Sequence, residues 1–414
     1  MADRGLHDPS AADGTVADPG AWHIYQGTGR PPEGAPLIGQ LPPPPPWRRF
    51  AGAPLITEPA PRDDAEFTRR LGPADDAVKR SASTQEKDMV NAALFLRRPL
   101  IVAGPPGIGK SSLAHCVSRE LGLGRVLRWS ITSRTTLKDG LYAYDAIGRV
   151  QEAAARGAWR GSAAGTALST SGPTDADADA SPDAGPEADA TPDAETTPHA
   201  DAADAPDHRA DRPLPEPDGT QELGAYIQLG PLGTALLPRP EPRVLLIDEF
   251  DKADMDLAGD LLSVFEEGEY RIPELARVRS RMPDVEVHTD DPDGTAVIHH
   301  GLVRCAAFPV VVITTNGERV LPPAFLRRCL YLELPPPDAG QLAAMLAAHL
   351  SEGDAGRATL IRDFLARSRT TGTLAADQLL ASEFLRTTPA GPDENSWNGL
   401  LHSLWRRLDG VGSG

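Results

Sequence analysis

An α/β fold built on a parallel sheet is what this sequence predicts, and three of its runs predict it. Leu100-Ile101-Val102 is apolar throughout, breaks into the turn Gly104-Pro105-Pro106-Gly107-Ile108-Gly109, and resumes with Leu113, Cys116 and Val117 at helical spacing. Val244-Leu245-Leu246-Ile247 and Val310-Val311-Val312-Ile313 are equally apolar and end in Asp248-Glu249 and Thr314-Thr315-Asn316. A strand without polar alternation is buried on both faces, the condition of a central parallel strand covered by helices. Polar residues at the C-terminal tips of such strands fall where open α/β sheets bind ligands.

Length and composition bound this reading. The chain has 414 residues but only 5% aromatics, and its 41 prolines cluster in the first 65 residues and around residues 172 to 243. Stretches of that composition bury too little apolar surface to offset their ordering entropy, so the ordered part is expected to stay under about 300 residues. The formal charge of −18 is concentrated: fourteen acidic residues against Arg209 and Arg212 lie between Asp175 and Asp218. An acidic body without a basic stripe argues against nucleic acid as the partner. Cys116, Cys305 and Cys329 lie far apart without C-x-x-C spacing, which predicts free thiols in a reducing compartment. The N-terminus Met-Ala-Asp-Arg has no apolar core of the signal type, and no apolar run is long enough for a membrane span, so a cytoplasmic protein is expected.

The elements follow in order. Residues 1–79 are expected to form a Pro-rich arm, extended or disordered, with Trp22, Tyr25, Trp47 and Phe50 as candidate anchors to the body. From Thr84 to Arg97 the spacing of Met89, Val90, Ala93, Leu94 and Leu96 predicts a helix capped by Ser83 or Thr84. It leads into the first strand and the glycine turn. Arg125 to Ile131 reads as a second strand and Tyr144 to Arg156 as a helix. Residues 160–221, alternating Asp-Ala with repeated Pro, are expected to be a disordered acidic insertion. Val244 to Asp248 is a third strand, followed by a helix from Met255 to Glu267 with Leu257, Leu261, Leu262 and Phe265 on one side. Alternation between Val285 and Cys305 about Asp290-Asp291-Pro292-Asp293-Gly294 predicts a hairpin, and its His299-His300 pair lacks the third ligand a metal site needs. Phe308 to Asn316 and Leu330 to Leu334 complete a parallel sheet of five strands, in which those ending at Ala103 and Ile247 are expected side by side. Residues 338–410 then read as a small all-helical lid, closed by Trp397, Leu401, Leu404, Trp405 and Leu408 on one face.

Gly104, Gly109, Lys110 and Ser111 fit G-x-x-x-x-G-K-[ST]. In that pattern the stretch Gly104, Pro105, Pro106, Gly107, Ile108, Gly109, Lys110, Ser111 and Ser112 would cradle phosphates through the N–H groups of its non-proline residues, Pro105 and Pro106 having none and setting only the turn's shape. Lys110 reaches the outer phosphates, and the Ser111 hydroxyl takes Mg²⁺. The helix that starts at Lys110 adds its positive dipole end. Asp248 at the tip of a strand is suited to hold Mg²⁺ through water, and Glu249 beside it can polarise the water that attacks a γ-phosphate. A kinase would need a site for an acceptor hydroxyl, and the sequence carries no such signal.

With these motifs together the chain resembles the AAA+ ATPases, and within them the MoxR-like group, over residues 80–160 and 222–410. Gly104 to Ser111 is similar to the Walker A motif, Val244 to Glu249 to Walker B, and Asn316 to the sensor 1 residue. Leu321 to Cys329 resembles the segment that supplies an arginine finger to a neighbouring subunit, with Arg328 the better candidate and Arg327 the second. The stretches Arg134 to Leu237 and Val285 to Cys305 correspond to the helix 2 insertion and the hairpin that mark the group. The resemblance implies a P-loop NTPase domain over residues 80–337, ATP and Mg²⁺ as cofactors, and a ring of identical subunits, a hexamer. It further implies a chaperone-like role on a protein client beside a von Willebrand factor A domain partner. One departure stands out: Thr373 to Leu380, where a sensor 2 arginine belongs, has no basic residue, leaving Arg367 or Arg369 as substitutes. That gap keeps open a different reading, a nucleotide-dependent switch or scaffold in a multi-protein bacterial defence or signalling system.

Overall fold

The computed structural model describes residues 22–34, 37–74, 82–152, 154–155, 223–350, 355–371, 374–389 and 391–405. The expected acidic insertion and the end of the expected lid, 406–410, lie outside the described residues. The chain divides into two compact units, Met1–Tyr144 with Ile227–Gly414, and Asp145–Tyr226. In the second unit residues 146–152 are helical, so the helix expected from Tyr144 starts later; Tyr144 itself ends a strand.

Eleven strands run through the described residues: β1 Leu100–Ala103, β2 Leu127–Ser130, β3 Tyr142–Tyr144, β4 Ile227–Leu229, β5 Val244–Asp248, β6 Glu269–Arg271, β7 Asp284–His288, β8 Thr295–His299, β9 Leu302–Arg304, β10 Val310–Thr315 and β11 Leu330–Glu333. Five of them form an all-parallel sheet in the order β11-β1-β10-β5-β2, flanked by helices. β1 and β5 are buried at every residue, as continuous apolar runs require, whereas the edge strand β2 alternates buried and exposed. Leu113, Val117 and Leu121 of helix Lys110–Leu121 pack with Val102, Leu246 and Val312 in one apolar cluster.

One expectation is corrected here. β1 and β5 point the same way but are not neighbours, because β10 lies between them, pairing Leu100 with Val312 on one side and Val244 with Val310 on the other. All three runs are apolar on both faces, so local pattern could not rank them; the crossover connections decide the order.

The hairpin expected between Val285 and Cys305 is β7 and β8, and it belongs to a second sheet of six strands, β3-β4-β7-β8-β9-β6, that sequence reasoning did not foresee. Its turn is no solvent loop. Asp291 receives Arg243 through Nη1 at 2.6 Å and Nη2 at 2.8 Å, with Arg243 only 1% exposed, and Arg125 bonds Asp290 at 3.0 Å. Arg125 and Arg243 precede β2 and β5, so this buried cluster ties the hairpin to the parallel sheet. His299 pairs with Asp284, and His300 occupies a tight turn at φ 54°.

The N-terminal arm is built into the body. Tyr25 is fully buried, its hydroxyl donates to Glu86 at 2.9 Å, and Asn91 accepts the Ile24 and Tyr25 N–H groups at 2.8 and 3.0 Å. Phe50 stacks on Phe308. Trp47 is not an anchor: it is 73% exposed, and the adjacent Arg48 does that work, bonding the Arg97 and Phe265 carbonyls and lying over the Phe308 ring. Asp64–Leu71 is a helix that the arm's composition did not predict, capped by Asp63.

Helix Thr84–Leu96 is capped by Ser83, and helix Met255–Glu267 has the limits expected of it. The C-terminal helices Ala339–His349, Ala355–Thr371, Ala376–Thr387 and Glu394–Leu404 share an apolar core of Leu342, Leu346, Leu360, Phe364, Leu379 and Trp405. They cluster with the sheets in one unit. Among the described residues no helix is long and apolar enough to cross a membrane.

Candidate functional site

The turn after β1 and the ends of β10, β5 and β2 meet one cavity of about 760 Å³. Pro106, Gly107, Ile108, Gly109, Lys110, Ser111 and Ser112 line it from the glycine turn, and Asp248, Glu249 and Asn316 from the neighbouring tips. Gly104 and Pro105, also expected to hold phosphate, are not part of its lining. Gly104 has φ 150° and leaves no room for a side chain, since a Cβ would fall 2.7 Å from the Leu334 carbonyl oxygen. Gly107 has φ 75°, and its carbonyl accepts the Ala376 N–H at 3.0 Å, which fastens the turn to the C-terminal helices. Among the described residues no side chain caps helix Lys110–Leu121; its Ser112 N–H turns back to the Gly109 carbonyl at 3.1 Å, which leaves the N–H groups of Lys110 and Ser111 as the ones an anion would meet.

Lys110 is buried, and its Nζ donates to the carbonyls of Gly104 and Pro105 and to Asn316 Oδ1, each at 2.8 Å. All three ammonium hydrogens are engaged, so Lys110 meets a phosphate by exchanging one of these partners. Burial lowers its pKa, opposed by the carboxylates of Asp251, Asp248 and Glu249. Asp248 Oδ1 accepts Ser111 Oγ and Thr314 Oγ1, both at 2.7 Å, and Oδ2 accepts Arg128 Nη2 at 2.7 Å. Burial pushes the Asp248 carboxyl up, but these three donors outweigh it and hold it ionised below its ordinary value. Among the described residues no group of three or more His, Cys, Asp and Glu gathers for a metal. Ser111 with Asp248 is instead a two-residue set, of the kind that suits a Mg²⁺ ion ligated largely by water and phosphate oxygens. Ser111 spends its proton on Asp248, which leaves its oxygen lone pairs for a cation.

Glu249 takes the left-handed conformation at φ 62°, its N–H donates to Thr314 Oγ1 at 2.9 Å, and its Oε2 accepts Lys252 Nζ at 2.7 Å with the side chain 47% exposed. Asn316 is held through its N–H by Asp251 Oδ2 at 3.0 Å. Arg327 and Arg328 are outside the cavity lining and exposed: Arg328 pairs with Glu266, and Arg327 Nε reaches the Pro323 carbonyl. Arg367 bonds His402, and neither it nor Arg369 lines the cavity.

Compared with models of known protein families and with curated proteins, the chain finds no match. The site therefore rests on its own geometry. Sequence reasoning missed six contributors. Arg128 could have been flagged as a polar residue two places before the end of β2, and Thr314 sits within a run already read as a strand tip; Asp251 lies in the short turn Phe250–Lys252 beyond β5. Thr28, Gly29 and Arg30 of the arm also line the cavity, and nothing in their local composition signals it.

Proposed function

We propose that this chain is a Mg²⁺-dependent ATPase of the AAA+ type, MoxR-like in its insertions, that works as a ring on a protein partner. One observation carries the reading. Lys110 and Ser111, which open the helix after the glycine turn, touch Asn316 and Asp248, which lie just past β10 and at the end of β5, 206 and 137 residues further along the chain. A turn that fits a triphosphate, an acid at a strand tip and a polar amide beyond a third tip are the parts that γ-phosphate cleavage needs. The turn and the start of the Lys110 helix hold the phosphates, Lys110 neutralises the outer charge, and Asn316 orients groups at the outermost position. Glu249 accepts a proton from water once it releases Lys252. Mg²⁺ on Ser111 and Asp248 would withdraw charge from the leaving oxygens.

Arg328 and Arg327 are exposed away from this cavity, so a role on a phosphate requires a neighbouring subunit; a hexamer and a von Willebrand factor A domain partner follow from the resemblance alone. A second reading, a nucleotide-dependent switch or scaffold in a bacterial defence or signalling system, is favoured by the Glu249–Lys252 pair, which holds the proton acceptor aside, and by the missing cation at the start of helix Ala376–Thr387. Turnover by the purified chain separates them. Glu249→Gln is expected to bind ATP as tightly as wild type and to lose hydrolysis by about 10²-fold or more. Full activity in that variant removes the assigned base, and wild-type protein that binds ATP without turnover favours the switch.

A further inference from the structure

Arg128 is the one basic side chain that touches Asp248 among the described residues, and no phosphate-loop motif assigns it. The two oxygens of Asp248 are divided: Oδ1 takes the Ser111 and Thr314 hydroxyls, while Oδ2 takes Arg128 Nη2 at 2.7 Å. Their exposures differ as well. The Asp248 side chain is 7% exposed, whereas that of Arg128 is 45% exposed and projects from an edge strand. The carboxylate is therefore fixed and the guanidinium is free to move without disturbing the core. The other arginines of the cavity are committed elsewhere or stand apart: Arg70 bonds Glu66, Arg119 bonds the Gly29 and Gly72 carbonyls, and Arg30 comes from the arm. The stretch of C-terminal helix that faces the loop, from Ala375 to Leu380, brings no cation.

We propose that Arg128 senses the terminal phosphate in cis, pairing with Asp248 when a nucleoside diphosphate is bound and with the outermost phosphate when a triphosphate is bound. The inference rests on reading this cavity as a triphosphate site. The terminal phosphate would offer the guanidinium a more highly charged acceptor that its planar fork matches bidentately, and with a diphosphate that acceptor is missing, so Asp248 keeps it. Arg128 then fills the place left by the absent sensor 2 cation, but from the sheet, and so reports nucleotide state to β2 and not to the C-terminal helices.

The test is calorimetric titration of the full chain with Mg²⁺ and either ADP or a non-hydrolysable ATP analogue. Arg128→Gln is expected to lose about tenfold or more in affinity for the triphosphate, the worth of one charge-assisted bond, while affinity for ADP changes less than about threefold. Arg128→Lys, which keeps the charge but not the fork, should fall between, and its thermal melt guards against misfolding. Equal losses for both nucleotides, or no loss for either, overturn the proposal. If wild type binds the triphosphate and Lys110→Ala abolishes binding while Arg128→Gln still discriminates as wild type does, the sensor fails alone. If wild type binds neither nucleotide, the cavity reading fails and takes the sensor with it.

Discussion

Asp251 Oδ2 accepts the backbone N–H groups of Asn316 and Glu318 at 3.0 and 3.3 Å, and its other oxygen is buried with no partner among the described residues. It joins the turn after β5 to the loop after β10, so the position of the Asn316 amide against Lys110 depends on it. Asp251→Ala is expected to leave ATP affinity near wild type and cut turnover by about 10²-fold, the usual cost of misplacing a site group by about an ångström. Asp251→Asn retains a carbonyl acceptor and should recover most of the loss. Wild-type turnover in the Ala variant would sink this role. Lys110, Ser111, Asp248, Glu249 and Asn316 were legible because each sits at a set position in its own strand-and-turn segment. Arg128, Thr314 and Asp251 were not, since what they do depends on neighbours more than 60 residues distant in sequence.

Helices with one apolar face and a clear cap were readable at the scale of the element, as Met255–Glu267 illustrates with its Asp254 cap and Gly268 stop. Buried charge was not readable. Glu383, fully buried on helix Ala376–Thr387, accepts Arg357 Nε at 2.7 Å and Arg386 Nε at 2.8 Å, knitting that helix to Ala355–Thr371. Burial raises its pKa, but the two arginines outweigh burial and hold it below the ordinary carboxylate value. A folded pKa below the unfolded one means that the pair stabilises fully above the unfolded value, about 4.3, and that this stabilisation is lost as pH falls through the folded value. Removing one partner of a buried pair costs about 3–5 kcal/mol. Chemical denaturation of Glu383→Ala at neutral pH should show that loss, and the difference from wild type should shrink in acid. A pH-independent difference contradicts the assignment. Trp47 and Arg48 make the same point: an aromatic in a Pro-rich run looks like an anchor, yet an arginine with two carbonyls and a ring to bind holds better than an indole left in solvent.

At the scale of the molecule, the arm and the cavity are one construction. Glu120 accepts the Gln26 and Gly29 N–H groups at 2.6 and 2.9 Å, and Thr28, Gly29 and Arg30 reach the same cavity as Lys110. Tyr25→Ala is therefore expected to cost about 3–5 kcal/mol, as deletion of a large buried aromatic does, and to weaken nucleotide binding as well. Denaturant unfolding and titration of the same sample check both, and an unchanged midpoint would detach the arm from the fold. By itself the sequence determined the parallel sheet, its glycine turn and the acids at the strand tips, because apolar runs without alternation and a fixed turn spacing are local properties. Only the tertiary structure decided that β10 separates β1 from β5, that a second sheet is clamped through Arg243 and Asp291, and that the Pro-rich arm is packed. Those outcomes depend on which buried surfaces meet, and chains of equal local pattern differ in that through connections and long-range pairing alone.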